Sequence, residues 1–233
     1  MVEIRIPVDD RWLAARLFQP LLTRNAETRI REHAGLLFVH GLDSSQRAYA
    51  ERAEMASLEL GLTCLTFDLG GHGSSMGNRL ELSRSDHLQD LIAAYDWLQA
   101  ASDVDAARIG VCGASYGAYL SCLLIGERPV KRLLLRAPAL YDDEGAKDSF
   151  GERQEGQDKP ANTALRNLRN FNGATLVLES GADEVIPHAV IDKYLAAAMH
   201  RAHHVIAGAA HALIRDEWNA AFIREILDWF RDF

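Results

Sequence analysis

The chain has 233 residues, of which 48% are hydrophobic and 25% are charged, and its formal net charge is -8 at pH 7. This length suits one domain with a full hydrophobic core, and the negative charge argues against nucleic acid or an anionic membrane surface as a partner. No apolar run is long enough to cross a bilayer, and acidic residues stand where a signal peptide would have its apolar core, so we expect a cytoplasmic protein.

An opening hairpin and then an alternation of strands and helices are predicted in the first half of the chain. Two segments with apolar residues at every second position flank a polar turn, and later apolar runs of strand length alternate with helix-like segments. In chain order the patterns predict strands 2–8 and 12–18, a loop over 23–33, strand 34–40, helix 45–60, strand 62–67, helix 84–100, strand 108–112, a helix from Tyr116 and strand 130–136.

The same alternation continues in the second half. It predicts strand 174–180, a helix from His188, strand 203–208 and a last helix with an apolar stripe formed by Trp218, Phe222, Ile226, Trp229 and Phe230. Strands that alternate with helices indicate an α/β fold, with a mostly parallel sheet and helices on both faces. No internal repeat or linker divides the chain, so we predict a single domain over residues 1–233.

Residues 138–172 interrupt this pattern with a polar and charged segment that has one short helix-like piece at 163–168. Two interpretations are open, a hydrated surface excursion or a small cap over a site, because long insertions in compact domains often form lids and binding loops.

The three cysteines, Cys64, Cys112 and Cys122, lie in apolar segments that are predicted to be core strands or helices. Buried, reduced thiols are therefore expected. No CxxC motif and no cluster of cysteine and histidine occurs, so the sequence predicts neither a metal site nor a cofactor.

Ser115 stands between Gly113 and Gly117, where a predicted buried strand gives way to a predicted helix. This strand, sharp turn and helix arrangement is typical of a nucleophile elbow, in which glycines allow the serine to adopt a strained conformation. An ordinary tight turn is the alternative interpretation of the same stretch.

A serine nucleophile needs a histidine base and a carboxylate that orients the base. His211 follows the last predicted strand, at the edge where open parallel sheets place their ligands. Asp183 follows the strand before it and lies between Ser115 and His211 in the chain. His211 could instead be a histidine without catalytic role at the start of the last helix, and Asp183 could be a turn or helix cap.

Acyl transfer also needs hydrogen-bond donors for the oxyanion. The backbone N–H of Tyr116, at the start of the helix after Ser115, is one candidate, and that of Leu42, in the loop after strand 34–40, is the other. Gly41 would allow the backbone to approach closely. His40 ends a buried run and is interpreted as a residue that fixes this loop.

Five stretches occur in the order seen in the α/β-hydrolase superfamily, namely "FVHGLDSS", "FDLGGHGSS", "GASYGA", "SGADEVIP" and "GAAHAL". The chain most resembles the small bacterial serine esterases and the dienelactone-hydrolase-like members of this superfamily. Dienelactone hydrolases proper use a cysteine nucleophile, so Ser115 argues against that chemistry.

The resemblance implies an eight-stranded, mostly parallel sheet whose first strands are antiparallel, with a cap inserted after the sixth strand. By position, Ser115 matches the nucleophile of the family, Asp183 its acid and His211 its base, and Leu42 and Tyr116 match its oxyanion-hole positions. Gly70 stands where the family usually has a charged or bulky residue, and Asp68 and His72 are expected to shape a loop beside the site.

The expected activity is two-step cleavage of a small-molecule carboxylic ester or thioester through an acyl-enzyme, without cofactor or metal. Two alternatives remain at this point. One is another hydrolase with the same three residues, such as an aminopeptidase or a C–C hydrolase, and the other is a binding protein that has lost its chemistry. The oligomeric state cannot be predicted from this sequence.

Overall fold

The fold is built on one mostly parallel sheet. The computed structural model describes residues 1–20, 33–144, 146–149 and 162–233. The described residues form eight strands, β1 (Val2–Val8), β2 (Arg11–Phe18), β3 (His33–Val39), β4 (Thr63–Phe67), β5 (Val104–Ala114), β6 (Arg132–Arg136), β7 (Ala174–Ser180) and β8 (Arg201–Ile206). Their order across the sheet is β1-β2-β4-β3-β5-β6-β7-β8. β1 and β2 pair antiparallel, β2 is antiparallel to β4, and the other pairings are parallel.

Six α-helices cover the sheet within the described residues, α1 (Ala50–Leu60), α2 (Arg84–Gln99), α3 (Tyr116–Leu124), α4 (Thr163–Asn170), α5 (His188–Ala197) and α6 (Asp216–Trp229). A short 3-10 helix, Gln46–Tyr49, leads into α1. These elements confirm the predicted α/β fold, including its antiparallel first strands. No helix in the part of the chain that the structure describes combines the length and apolarity needed to cross a membrane.

Two apolar clusters, one on each face of the sheet, explain the continuous apolar run of β3. Leu37 and Val39 belong to the cluster under α2 to α5, whereas Leu36 and Phe38 belong to the cluster under α1 and α6. Alternate residues of a strand point to opposite faces, so a strand covered on both faces is apolar at most successive positions.

The three cysteines are free and buried, as expected. Burial raises the pKa of each thiol, to about 12 for Cys112.

Several predicted boundaries are wrong. The largest difference is in β5, which begins at Val104 rather than at residue 108, because residues 105–108 are exposed or half-buried and do not continue the apolar run. His33, which we placed in a loop, is the first residue of β3, and its N–H donates to the carbonyl of Asp103 (2.7 Å). β8 runs from Arg201 to Ile206, two residues earlier at each end than the prediction, because it is an edge strand whose first residues are largely exposed and need not be apolar. The rest of the predicted 23–33 loop lies outside the described residues.

The first described part of the 138–172 segment packs against the start of α2. Arg84, itself 2% exposed, donates to the carbonyls of Asp142 (2.7 Å) and Glu144 (2.5 Å), and Ser85 N–H donates to the carbonyl of Ala146 (3.0 Å). The predicted helical piece is present as α4. Residues 145 and 150–161 are outside the described residues, so a cap over the site stays a prediction.

Candidate active site

The turn between β5 and α3 holds Ser115 in a backbone conformation with positive φ (φ 52°, ψ -118°) that side chains rarely adopt. A side chain in this region costs about 1–3 kcal/mol, and the surrounding structure must hold it there. The backbone of Ser115 is anchored on both sides, since its N–H donates to the carbonyl of Arg136 (2.9 Å) and its carbonyl accepts from Ala139 N–H (3.1 Å).

The two flanking glycines are required by close packing. A Cβ at Gly113 would lie 2.6 Å from the carbonyl oxygen of Gly117, and a Cβ at Gly117 would overlap the carbonyl oxygens of Val39 and His40. Any side chain at Gly117 would therefore push α3 away from the end of β3.

His211 and Asp183 lie against Ser115 although they are distant in the chain. His211 Nε2 is 3.1 Å from Ser115 Oγ, and His211 Nδ1 is 2.8 Å and 3.1 Å from the two carboxylate oxygens of Asp183. The Asp183 carboxylate also accepts from the N–H groups of Val185 (2.9 Å) and Ile186 (2.8 Å), which fixes its orientation. Because Nδ1 faces a carboxylate, the proton belongs on Nδ1, and the Nε2 lone pair is left to face the hydroxyl.

A backbone hydrogen bond between the loops after β7 and β8 accounts for this approach. Ala182 N–H donates to the carbonyl of Ala209 (2.8 Å), so the residues that follow each strand are joined side by side. The side chain of Asp183 is 5% exposed and that of His211 is 20% exposed. His211 is thus open to the cavity and Asp183 is not.

The two predicted oxyanion donors come from neighbouring turns. Tyr116 is the first residue of α3, where backbone N–H groups and the helix dipole favour negative charge. Leu42 follows Gly41, and a Cβ at Gly41 would lie 3.4 Å from Ser115 Cβ and 4.0 Å from its Oγ. The loop after β3 therefore passes directly beside the serine.

His40 fixes this loop, as predicted. It is fully buried, its Nδ1–H donates to the carbonyl of Gly41 (2.7 Å) and its Nε2 accepts from Leu69 N–H (3.0 Å). Burial lowers its pKa from 6.5 to about 4, and the nearby His72 contributes to this shift. His40 is therefore neutral at physiological pH.

A second buried histidine, His87 on α2, was missed by the sequence reasoning. Its Nε2–H donates to the carbonyl of Gly70 (3.1 Å), and its Nδ1 accepts from the hydroxyl of Tyr116 (3.0 Å). Burial lowers its pKa to about 3. Its sequence signal was its place four residues before Leu91 on the apolar face of α2.

The loop after β4 is shaped by Asp68 and His72, as expected. Asp68 accepts from Gln46 N–H (2.7 Å) and Ser74 N–H (3.0 Å), and His72 Nδ1–H donates to the carbonyl of Gly70 (3.0 Å). Asp68 thus ties the loop to the start of the 3-10 helix.

Gly70 leaves space for an arginine that comes from another strand. A Cβ at Gly70 would overlap Arg11 Nη1 and lie 2.9 Å from Asp90 Oδ2. Arg11, on β2, forms a 3.1 Å ion pair with Asp90, whose side chain is fully buried and accepts from Gly70 N–H (2.8 Å). Burial raises the pKa of Asp90, although Arg11 opposes this shift.

A cavity of about 380 Å³ opens beside Ser115 and His211. Leu42 forms part of its wall, and so do two arginines, Arg52 and Arg136, that the sequence reasoning did not single out. Among the described residues, no group of three or more histidine, cysteine, aspartate or glutamate side chains could hold a metal ion.

Sequence comparison relates the chain to a known enzyme family. The model of the family described as serine aminopeptidase S33 (Hydrolase_4) matches residues 31–152, just over half of the chain. An uncharacterized protein of Mycobacterium tuberculosis is 30% identical over 167 residues, which cover 69% of this chain and 57% of that protein. The chain thus spans less than two thirds of the length of this relative.

Solved structures of α/β hydrolases share the whole fold. Est1E from Butyrivibrio proteoclasticus, solved with ferulic acid bound, superposes with a TM-score of 0.76 at 18% identity, covering 97% of this chain and 98% of that one. A dienelactone hydrolase from Anabaena variabilis gives a TM-score of 0.74 at 20% identity, covering 100% of this chain and 97% of that one. A predicted CIB-like hydrolase from Thermoplasma acidophilum gives a TM-score of 0.71 at 18% identity, covering 100% of this chain and 98% of that one. At these identities the likeness concerns the fold alone.

Proposed function

The chain belongs to the serine aminopeptidase S33 family of α/β hydrolases, and from this premise we propose that it cleaves a small-molecule carboxylic ester or thioester through an acyl-enzyme on Ser115. The observation that carries the proposal is the pair of contacts made by His211, with Nε2 3.1 Å from Ser115 Oγ and Nδ1 2.8 Å from Asp183. These distances are those of a nucleophile, a base and the acid that orients it.

In the proposed first step, Ser115 Oγ attacks the carbonyl carbon while His211 Nε2 takes the hydroxyl proton. Asp183 stabilises the imidazolium, and the N–H groups of Leu42 and Tyr116 donate to the oxyanion. The alcohol or thiol leaves with the proton from His211. Water then attacks the acyl-enzyme, losing its proton to His211, and Ser115 is released as the hydroxyl.

The lining of the cavity favours an ester over a peptide with a free amino terminus. An aminopeptidase must bind a terminal ammonium group, which requires a negatively charged partner. The described cavity wall instead carries Arg52 and Arg136, and its one carboxylate, Asp43, forms an ion pair with Arg79. A terminal ammonium would therefore meet like charge.

Hydrolysis of p-nitrophenyl acyl esters by the parent chain and by Ser115→Ala tests the proposal. We expect kcat to fall by about 10⁶-fold in this variant with the fold retained. Ser102→Ala, which removes an exposed hydroxyl in a turn, is the matched control and should match the parent chain. Turnover that survives Ser115→Ala would refute the assignment of the nucleophile.

Two further measurements separate the alternatives. A fluorophosphonate probe should label the parent chain at Ser115, and a protein that only binds its ligand should not label. Amino-acid p-nitroanilides should be cleaved at least 100-fold less efficiently than the esters. The reverse preference would establish an aminopeptidase.

A further inference from the structure

Two arginines are buried in the wall of the cavity that contains Ser115 and His211. Arg52, on α1, is 9% exposed, and Arg136, the last residue of β6, is 6% exposed. Arginine side chains are rarely this buried unless a partner compensates the charge.

No carboxylate of the described residues forms an ion pair with either guanidinium. Arg52 donates to the carbonyl of Ala48 and to the side-chain oxygen of Asn219. The Nε atoms of both arginines are buried and have no hydrogen-bond partner. The aromatic rings of Tyr49 and Phe222, 5.3 Å and 4.9 Å from the guanidinium of Arg52, also face its charge.

Arg136 also holds the loop that carries His211. Its Nη2 donates to Ser180 Oγ (2.7 Å), to the carbonyl of Ala210 (3.1 Å) and to the carbonyl of His211. All three acceptors are neutral. Asp183 lies near enough to act on Arg136 electrostatically, but its oxygens contact His211 and backbone N–H groups.

The two guanidinium groups repel each other. Burial lowers the pKa of Arg136, Tyr49 and Asp183 oppose this shift, and the charge of Arg52 adds to the lowering. Two like charges that are buried in one cavity wall and form no ion pair with a described carboxylate are unfavourable in the protein alone. A bound anion would offset both the burial of the charges and their mutual repulsion.

We propose that this cavity binds a carboxylate of the substrate, held between Arg52 and Arg136 while the ester carbonyl lies at Ser115. The planar guanidinium, with its fixed N–H groups, matches a carboxylate in shape and charge. Leu42, Leu213 and Ile214 line the same cavity and provide apolar contact for the uncharged part of the molecule. The inference rests on the proposed function for the ester, and it adds that the ester is anionic.

The test compares pairs of esters of similar size, in which one member carries a carboxylate and the other a neutral group. The hemisuccinate and butyrate esters of p-nitrophenol place the charge on the acyl side, and 4-butyryloxybenzoate and 4-butyryloxybenzamide place it on the alcohol side. We expect the parent chain to prefer the anionic member of at least one pair at least tenfold in kcat/KM. Arg52→Met should reduce this ratio at least tenfold.

Both members of a pair are measured on one preparation, so the folded fraction cancels from the ratio. Arg47→Met is the matched control, because Arg47 is exposed, lies five residues before Arg52 in the preceding 3-10 helix, and is not part of the described cavity wall. Its ratio should equal that of the parent chain. If Arg52→Met does not fold, Arg52→Lys should still lower the ratio, since it keeps the charge and loses the planar group.

A binding measurement separates this inference from the proposed function. In Ser115→Ala, succinate or benzoate should raise Tm, and Arg52→Met in that background should abolish the rise. Ester hydrolysis without an anionic preference, or with a preference that Arg52→Met leaves unchanged, would overturn the carboxylate site alone. A rise in Tm that depends on Arg52, without hydrolysis of any ester, would overturn the esterase and retain the site. No rise in Tm and no preference would overturn the site.

Discussion

Acid should destabilise the folded chain through His40 and His87, which are buried in the neutral form beside the candidate site. Burial lowers the pKa of His40 from 6.5 to about 4 and that of His87 to about 3. Between pH 6.5 and pH 4 the unfolded chain therefore binds protons at these two positions that the folded chain does not bind. The free energy of unfolding falls as pH falls through this range.

The magnitude follows from the size of each shift. At pH 5 an unfolded histidine with a pKa of 6.5 is almost fully protonated, and each buried neutral histidine then costs about 2 kcal/mol of stability relative to pH 8. The two together give about 4 kcal/mol, a large fraction of the stability of a typical domain. His72 and Asp86 act on His87 in opposite directions, and Tyr116 faces it with a neutral hydroxyl.

Urea unfolding of the parent chain and of His87→Gln, at pH 8 and pH 5, measures this contribution. Glutamine keeps a hydrogen-bond donor and an acceptor, so the constant cost of the substitution cancels when the two pH values are compared. We expect the parent chain to lose about 2 kcal/mol more than His87→Gln between them. The raised pKa of Asp90 increases the free energy of unfolding as pH falls, which is opposite to the effect of the two histidines. This contribution is the same in the parent chain and in His87→Gln.

His200→Gln, which removes an exposed imidazole, is the control and should follow the parent chain. Parallel stability losses in the parent chain and in His87→Gln would refute the reasoning, because they would mean that His87 titrates alike in the folded and unfolded chains.

Further substitutions test the packing around Ser115 and the ion pair between Arg11 and Asp90. Gly117→Ala should cost about 3 kcal/mol in urea unfolding, because its Cβ overlaps backbone carbonyls, whereas Gly41→Ala, whose Cβ meets only ordinary contacts, should cost less than about 1 kcal/mol. Equal losses would contradict the packing argument. Arg11→Met should cost about 3–5 kcal/mol, since it leaves the carboxylate of Asp90 buried without its cation. In the Asp90→Asn background the same substitution should cost clearly less, and additive losses would show that the ion pair contributes nothing.

Most of the fold could be predicted because the relevant signals are local. A strand buried on both faces is mostly apolar at successive positions, and this pattern located β3, β4, β6 and β7. The candidate site followed from chain order, since loops after parallel strands meet at one edge of the sheet. β5 and β8 begin before their predicted starts, because the first residues of each strand are largely exposed or half-buried and need not be apolar.

The arginines could not be predicted from the sequence. Arg11, Arg52 and Arg136 are charged residues that sequence rules assign to the surface. Arg52 and Arg136 are buried and Arg11 is half-buried, and each contacts distant parts of the chain. His87 was missed for a related reason, because its partners, Gly70 and Tyr116, are distant in the chain. Long-range electrostatic partners leave no periodic signal in a sequence.

The guanidinium of Arg11 in the space beside Gly70 makes positions 11 and 70 depend on each other. A chain with a large side chain at position 70 has no room for an arginine at position 11, and a chain with neither leaves the buried Asp90 carboxylate without a cation. Among homologues, the residues at positions 11 and 70 should therefore vary together, with a cationic side chain at one of the two positions. The same dependence means that the loop after β4 cannot be transplanted into another hydrolase alone, because the hairpin strand β2 must accompany it.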